Sequence, residues 1–193
     1  MKITAVVLAA GESKRMGQPK MLMPWGPTTV FGTVIETLQN EGLNNIVVVT
    51  GGLHDELISL YPANIHYVMN VDYANGEMLT SVKVGLRNID NDQDAALIVL
   101  GDQPQIQRTT VARIIEKYNN SQSSIIVPSY NMHRGHPWLV GRTYWKEIEQ
   151  LDPPNTLRDF LDIHISTIDY IIINSPSILQ DIDTHDDYLR YKP

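Results

Sequence analysis

Nearly continuous apolar, β-branched runs alternate along this chain with longer stretches of mixed polarity. The runs predict strands at Ile3–Ala9, Asn45–Thr50, Ile65–Met69, Ala95–Leu100, Ser124–Val127 and Ile168–Ile173. The first, second and fourth are almost wholly hydrophobic, as central parallel strands covered on both faces are. Helices are expected between them, at Thr29–Asn40, Asp55–Leu60, Glu77–Asn88, Thr109–Asn119, Thr143–Leu151 and Thr156–Asp162. Gly42 suits the end of the first helix, where a left-handed residue is common. Thr184-His185-Asp186-Asp187 resembles a capping box opening a short last helix, with Asp for the usual Glu. Asp186 and Asp187 there complement the helix dipole. This β-α alternation predicts a three-layer α/β/α sandwich with a mainly parallel sheet, whose ligands bind beyond the carboxyl ends of the strands.

Composition narrows the picture. The chain has 193 residues and is 42% hydrophobic, enough for one substantial core, and it is expected to form a single domain over 1–193. No apolar run reaches the length of a membrane span. Met1–Leu8 carries one positive charge and runs into a glycine-bearing loop, so it reads as a strand and not as a signal peptide. No membrane association is expected, and cytoplasm is the expected location. The absence of cysteine removes disulfides, thiolate catalysis and cysteine-ligated metals. A formal net charge of −7 argues against nucleic-acid binding, which needs a basic surface. An anionic small molecule remains open, provided that cations are concentrated locally.

They are concentrated after the first strand, in Leu8-Ala9-Ala10-Gly11-Glu12-Ser13-Lys14-Arg15-Met16-Gly17-Gln18-Pro19-Lys20. Small residues let the backbone approach a ligand, and successive N–H groups can cradle an anion. Lys14, Arg15 and Lys20 add the charge that phosphoryl transfer requires. The loop is neither of two common nucleotide-binding patterns. Gly11 and Gly17 are six apart with Gln18 following, so G-x-x-x-x-G-K-[ST] fails, and G-x-G-x-x-G lacks its second glycine. At the end of the fourth strand, Gly101-Asp102-Gln103-Pro104 places a carboxylate at the same sheet edge. An aspartate there can ligate Mg²⁺ or cap local N–H groups. His54, His66, His164 and His185 show no zinc-site spacing.

The loop Ala9-Ala10-Gly11-x-Ser13-x-Arg15-Met16-Gly17-x-Pro19-Lys20 resembles the signature of the MobA-like NTP transferases, and within them the molybdenum cofactor cytidylyltransferases. Those relatives read A-A-G where guanylyltransferases read A-G-G. The resemblance runs from Lys2 to about Tyr188 and implies a Rossmann-like nucleotidyltransferase sheet. It implies that Leu8, Ala9, Ala10 and Gly11 wrap the triphosphate, with Arg15 and Lys20 as the catalytic cations. The family's G-D-x-P motif gives Asp102 as a ligand of Mg²⁺. Its D-I-D-T-P-x-D motif gives Asp183 as the second, although His185 replaces the usual proline.

Gly51 and Gly52, closing the second strand, would let a flat base lie against backbone. The segment Asp72-Tyr73-Ala74-Asn75-Gly76-Glu77-Met78-Leu79-Thr80-Ser81-Val82 resembles N-x-x-x-x-G-x-x-x-S-V, which implies Asn75 and Ser81 near base and ribose. Gly135-His136-Pro137 resembles the acceptor-side motif, so His136 is expected to bind acceptor phosphate and Trp138 to wall a pterin. Tyr144, Trp145 and Trp25 read as scaffold. The resemblance thus implies CMP transfer from CTP to the terminal phosphate of molybdopterin, with a molybdoenzyme as a further partner receiving the product. A guanylyltransferase for the same cofactor, a sugar- or polyol-phosphate nucleotidyltransferase and a non-catalytic nucleotide- or cofactor-binding chaperone stay open.

Overall fold

Alternate side chains of the central strands point to opposite faces, and each face is closed by its own helices. The computed structural model describes residues 1–13, 15–61, 65–75 and 77–193. Its strands are β1 (Ile3–Ala9), β2 (Pro24–Trp25), β3 (Thr28–Thr29), β4 (Ile46–Thr50), β5 (His66–Met69), β6 (Ala95–Leu100), β7 (Ile125–Tyr130), β8 (His133–Arg134), β9 (Trp138–Gly141) and β10 (Ile168–Ile172). Its α-helices are α1 (Val30–Asn40), α2 (His54–Leu60), α3 (Met78–Arg87), α4 (Arg108–Asn120), α5 (Trp145–Gln150), α6 (Leu157–Ile163) and α7 (His185–Tyr191).

The main sheet runs β10-β7-β9-β6-β1-β4-β5, with β8 beside β7, while β2 and β3 form a separate ribbon. β1 pairs in parallel with β4 and β6, β4 with β5, and β7 with β10. β9 runs antiparallel to both of its neighbours. On one face Ala5, Val7, Val48 and Leu97 pack with Phe31 and Leu38 of α1, Leu57 of α2 and Ile114 of α4. On the other, Val6, Val49 and Ile98 meet Val82 of α3, Ile148 of α5 and Phe160 of α6. Each large apolar side chain buried in these layers contributes about 1.5–3 kcal/mol. At Gly85 a Cβ would collide with Val6, so a glycine lets α3 lie close on β1. That approach holds the N-terminal turn of α3 over the strand ends.

The three-layer, mainly parallel architecture is the one expected, and β1 and β6 match their expected ranges to the residue. Thr29 caps α1, its side chain accepting from Gly32 N, and Thr156 opens α6 with a full capping box. Gly42 has φ +79°, the left-handed conformation expected beyond α1. Two expectations change. The helix over Thr143–Leu151 begins as a 3₁₀ turn at Arg142–Tyr144 and becomes α-helical only at Trp145. β9 was not expected as a strand: it is four residues long and follows Gly135 and Pro137, which break the pattern. Among the described residues no helix is long and apolar enough to cross a membrane.

Candidate active site

Three neighbouring strands deliver the candidate groups to one sheet edge: β6 leads into Gly101-Asp102, β1 into Ala10-Gly11, and β4 into Gly51-Gly52. The loop after β1 turns back on itself through left-handed residues Ser13 (φ +53°) and Gly17 (φ +65°). The Ser13 carbonyl accepts from Met16 N at 2.9 Å. Its hydroxyl accepts from Lys20 N at 3.2 Å. The loop is then anchored by a small apolar cluster in which Met16, Met23 and Trp25 pack with Ile182 and Tyr188. The Tyr188 hydroxyl donates to the Pro24 carbonyl at 2.6 Å. Asp187, three residues past the cap of α7, bonds the Thr184 backbone N–H at 2.9 Å and completes the expected capping box despite His185. These contacts bring residue 183 against residue 20 across most of the chain.

Charge then converges. Lys20 Nζ lies 2.5 Å from Asp102 Oδ2 and 3.3 Å from Asp183 Oδ1. Arg15 reaches Asp183 Oδ2 at 2.9 Å. The Lys20 side chain is only 9% exposed, whereas that of Arg15 is 71% exposed and free to turn toward a ligand. Burial works to lower the Lys20 pKa, but the Asp102 and Asp183 carboxylates outweigh it and hold the pKa above its ordinary value. Asp181 sits beside them, its pKa raised by burial against the hydrogen bond from the Gln103 amide, with the Asp102 and Asp183 charges adding to the rise. That bond and another from Ile182 N to the Asp102 carbonyl at 3.3 Å stitch the two acidic turns together.

The donor chemistry here suits a hard divalent ion: carboxylate oxygens from two turns face one cation already. Among the described residues no three His, Cys, Asp or Glu side chains are arranged to hold a metal by themselves. The pair therefore fits an ion of the Mg²⁺ type, whose shell one or two carboxylates share with water and substrate phosphate.

A cavity of about 300 Å³ lies alongside, and Leu8, Ala10, Gly11, Arg15, Ser81, Asp102 and Asp183 all line it. Ser81 is 6% exposed and accepts from the Asn70 side-chain amide at 3.0 Å. Other expected residues lie elsewhere. Ala9 is 1% exposed in the core behind the loop, so only its backbone is near the edge. Asn75 is exposed on the turn before α3. Gly51 is buried under the Tyr73 ring, and Gly52, which is exposed, lies beside the hydroxyl end of that ring. Lys14 and Gly76 lie outside the described residues. Tyr73, Met21, Met78 and Asp181 line the cavity without having been singled out. The signal for Tyr73 was its place in the segment matched at Asn75 and Ser81.

His136 opens a neighbouring cavity of about 650 Å³, which shares Met78 with the first. Burial pushes its pKa down to about 4, and the Ile98 carbonyl and Asp102 carboxylate restore only part of the difference. Its ring is neutral near pH 7. It brings no positive charge to that cavity, and its single N–H is directed at the Ile98 carbonyl. Trp138 is 2% exposed and mainly core, touching that cavity from below. Arg134 lines it too, bound to Asp162 at 2.5 Å and to the Tyr170 hydroxyl at 2.9 Å.

Comparison with known proteins agrees with this geometry. The chain is 32% identical to the molybdenum cofactor cytidylyltransferase of Escherichia coli (strain K12), an alignment covering 98% of this chain and 95% of that one. The crystal structure of Rv0371c from Mycobacterium tuberculosis H37Rv superposes with a TM-score of 0.86 at 28% identity, covering 98% of this chain and 97% of the other. A structure of that same protein in complex with manganese gives a TM-score of 0.81 at 27% identity, with 98% and 97% coverage. The model of the MobA-like NTP transferase domain matches residues 5–168. This chain is a nucleotidyltransferase-fold protein that belongs to the MobA-like NTP transferase family.

Proposed function

We propose that this protein transfers CMP from CTP to the terminal phosphate of molybdopterin and releases pyrophosphate, with Mg²⁺ as cofactor. The observation that carries the reading is the meeting of Arg15, Lys20, Asp102 and Asp183 beside a cavity at the strand ends. Likeness to a cytidylyltransferase over nearly the whole chain supports the choice of base and acceptor. Asp102 and Asp183 would hold Mg²⁺, which when bound supplies positive charge against the triphosphate. An acceptor phosphate oxygen forms the new bond to the α-phosphorus as the bond to the β-phosphate oxygen breaks, and that electron pair leaves with pyrophosphate. An ionised phosphate is already a nucleophile, so the protein aligns reactants and stabilises charge. Arg15 can fork onto two phosphate oxygens, while Lys20 supplies a compact charge at the leaving group. His136 would line the acceptor side as a neutral ring that adds no charge there.

The test is pyrophosphate release from each of four NTPs, with and without molybdopterin. CTP-selective release that requires molybdopterin is expected, and it is expected to vanish in Asp102→Ala and Arg15→Ala while both variants stay folded. Full turnover in either variant would remove the mechanism. Preference for GTP, or turnover on a sugar phosphate, would overturn the substrate and leave nucleotidyl transfer standing. NTP binding without any pyrophosphate release would instead favour a binding protein.

A further inference from the structure

The face of Gly51 and Gly52 that was expected to receive a flat base already carries a flat ring. A Cβ built on Gly51 would lie 2.7 Å from Tyr73 Cγ, 2.8 Å from Cδ2 and 2.6 Å from the Ala10 carbonyl oxygen. One built on Gly52 would lie 3.2 Å from the Tyr73 hydroxyl oxygen. One edge of the phenol thus runs along both glycines, and side chains larger than hydrogen would push it away.

Tyr73 is also a wall shared by two cavities. One is the cavity that holds Arg15, Asp102 and Asp183, and the other, of about 420 Å³, lies under Gly17-Gln18-Pro19 of the first loop. Among the described residues lining the first cavity, Tyr73 is the one aromatic side chain. The turn that carries it is fastened down. Tyr73 N donates to the Asn70 carbonyl at 3.2 Å, and Asp72 N donates to the Asn70 side-chain oxygen at 3.1 Å. The Asn70 amide, 3% exposed, donates to Thr80 and Ser81 of α3 at 3.1 and 3.0 Å. The backbone that carries the ring is therefore held in place by a buried side chain bonded to a packed helix.

Its place along the sheet edge separates its role from that of the charged groups. β4 is two strands from β6 in the order β6-β1-β4, so Gly51 lies about 10 Å from the Asp102 end at ~4.8 Å per strand. Charge sits at the β6 end and an aromatic face at the β4 end. A nucleotide lying along this edge puts its phosphates on the first and its base on the second.

We propose that Tyr73 is the platform on which the base of the bound nucleoside triphosphate stacks. This rests on the nucleotidyl-transfer reading above and adds a binding residue to it. Every base has a π-face, so stacking supplies affinity and leaves the choice of base to the polar groups around the ring. Binding of CTP, GTP, UTP and ATP in the presence of Mg²⁺ is to be measured by calorimetry for the wild type, Tyr73→Ala and Tyr73→Phe. Tyr73→Ala is expected to weaken all the nucleotides that bind by about ten-fold, with the loss in KM and not in kcat, and Tyr73→Phe to restore most of it. A Tyr73→Trp variant gives a second readout: CTP should quench its added fluorescence beyond any change in the three native tryptophans. Undiminished or tighter binding by Tyr73→Ala, or no added quenching in Tyr73→Trp, overturns the platform while wild-type binding leaves the transfer reading intact. A wild type that binds none of the four nucleotides overturns both.

Discussion

Replacing His136 with glutamine should flatten the acid limb of the protein's stability curve. Burial holds the folded-state pKa at about 4, below the ordinary 6.5, and the buried Nδ1 has no hydrogen-bond partner. The unfolded chain regains the ordinary value. Between pH 6.5 and 4 the unfolded state therefore binds a proton that the folded state refuses, so stability falls as pH falls. The contribution of the neutral ring is fully present above the unfolded pKa and is lost on approach to the folded one. A depression of this size is worth ~3 kcal/mol at its limit, and about 2 kcal/mol of that is spent by pH 5. Against a total stability of roughly 5–15 kcal/mol the loss is easy to resolve. Urea denaturation at pH 7.5 and 5.0 would measure it, comparing wild type with His136→Gln. Carboxylates elsewhere titrate alike in both proteins and cancel in the difference between the two pH responses. A difference below about 0.5 kcal/mol would refute the reasoning, as would an imidazole NMR titration with a midpoint near 6.5.

Two further substitutions probe the charged edge and the glycine beneath Tyr73. Lys20→Met removes the cation between Asp102 and Asp183, and urea unfolding at pH 7 should show a loss of about 2–3 kcal/mol, less than for a fully buried pair because Asp183 is partly exposed. Mn²⁺ should raise the melting temperature of that variant more than that of the wild type, and an equal rise in both would count against a shared cation position. Gly51→Ala places a methyl against the Ala10 carbonyl, which cannot move without shifting β1, and against the Tyr73 ring. It should cost about 1–3 kcal/mol in the same assay and weaken NTP binding, whereas a neutral result would mean that the two strand ends are looser than this packing requires.

The elements most legible in the sequence are those whose residues are apolar on both faces. β1 and β6 could be read to the residue because every position in them is buried. The cap at Thr184 was equally readable, and the helix starts expected at Thr29 and Thr156 fall on the caps themselves, since a side-chain oxygen that satisfies a free N–H at a helix start is a local requirement. β9 was not, because a four-residue antiparallel strand inserted between β6 and β7 is specified by its neighbours more than by its own pattern. The same division runs through the site. Asp102 follows a buried strand and could be placed at the edge from sequence. Tyr73 could not, since its contact with Gly51 depends on Asn70 folding the intervening turn back onto α3.

The four charged residues matched to the family's motifs are, in the free protein, one another's partners. Lys20 is buried to a degree that an isolated ammonium does not tolerate, and it is charged because Asp102 and Asp183 face it. The two acidic turns in turn are held together through Gln103 and the Ile182 backbone, so the carboxylates need a cation whether or not a ligand is present. On the nucleotidyl-transfer reading this has a consequence for binding order. Arg15 and Lys20 are already paired with Asp102 and Asp183, and Asp181 lines the same cavity, so a bare triphosphate meets a site with little positive charge to spare for it. A triphosphate arriving with its divalent ion would bring a replacement cation for the carboxylates, and would leave Arg15 and Lys20 available to phosphate oxygens. Pre-paired charge of this kind would keep Arg15 and Lys20 in position between turnovers, and would favour a metal-bound nucleotide over the free one.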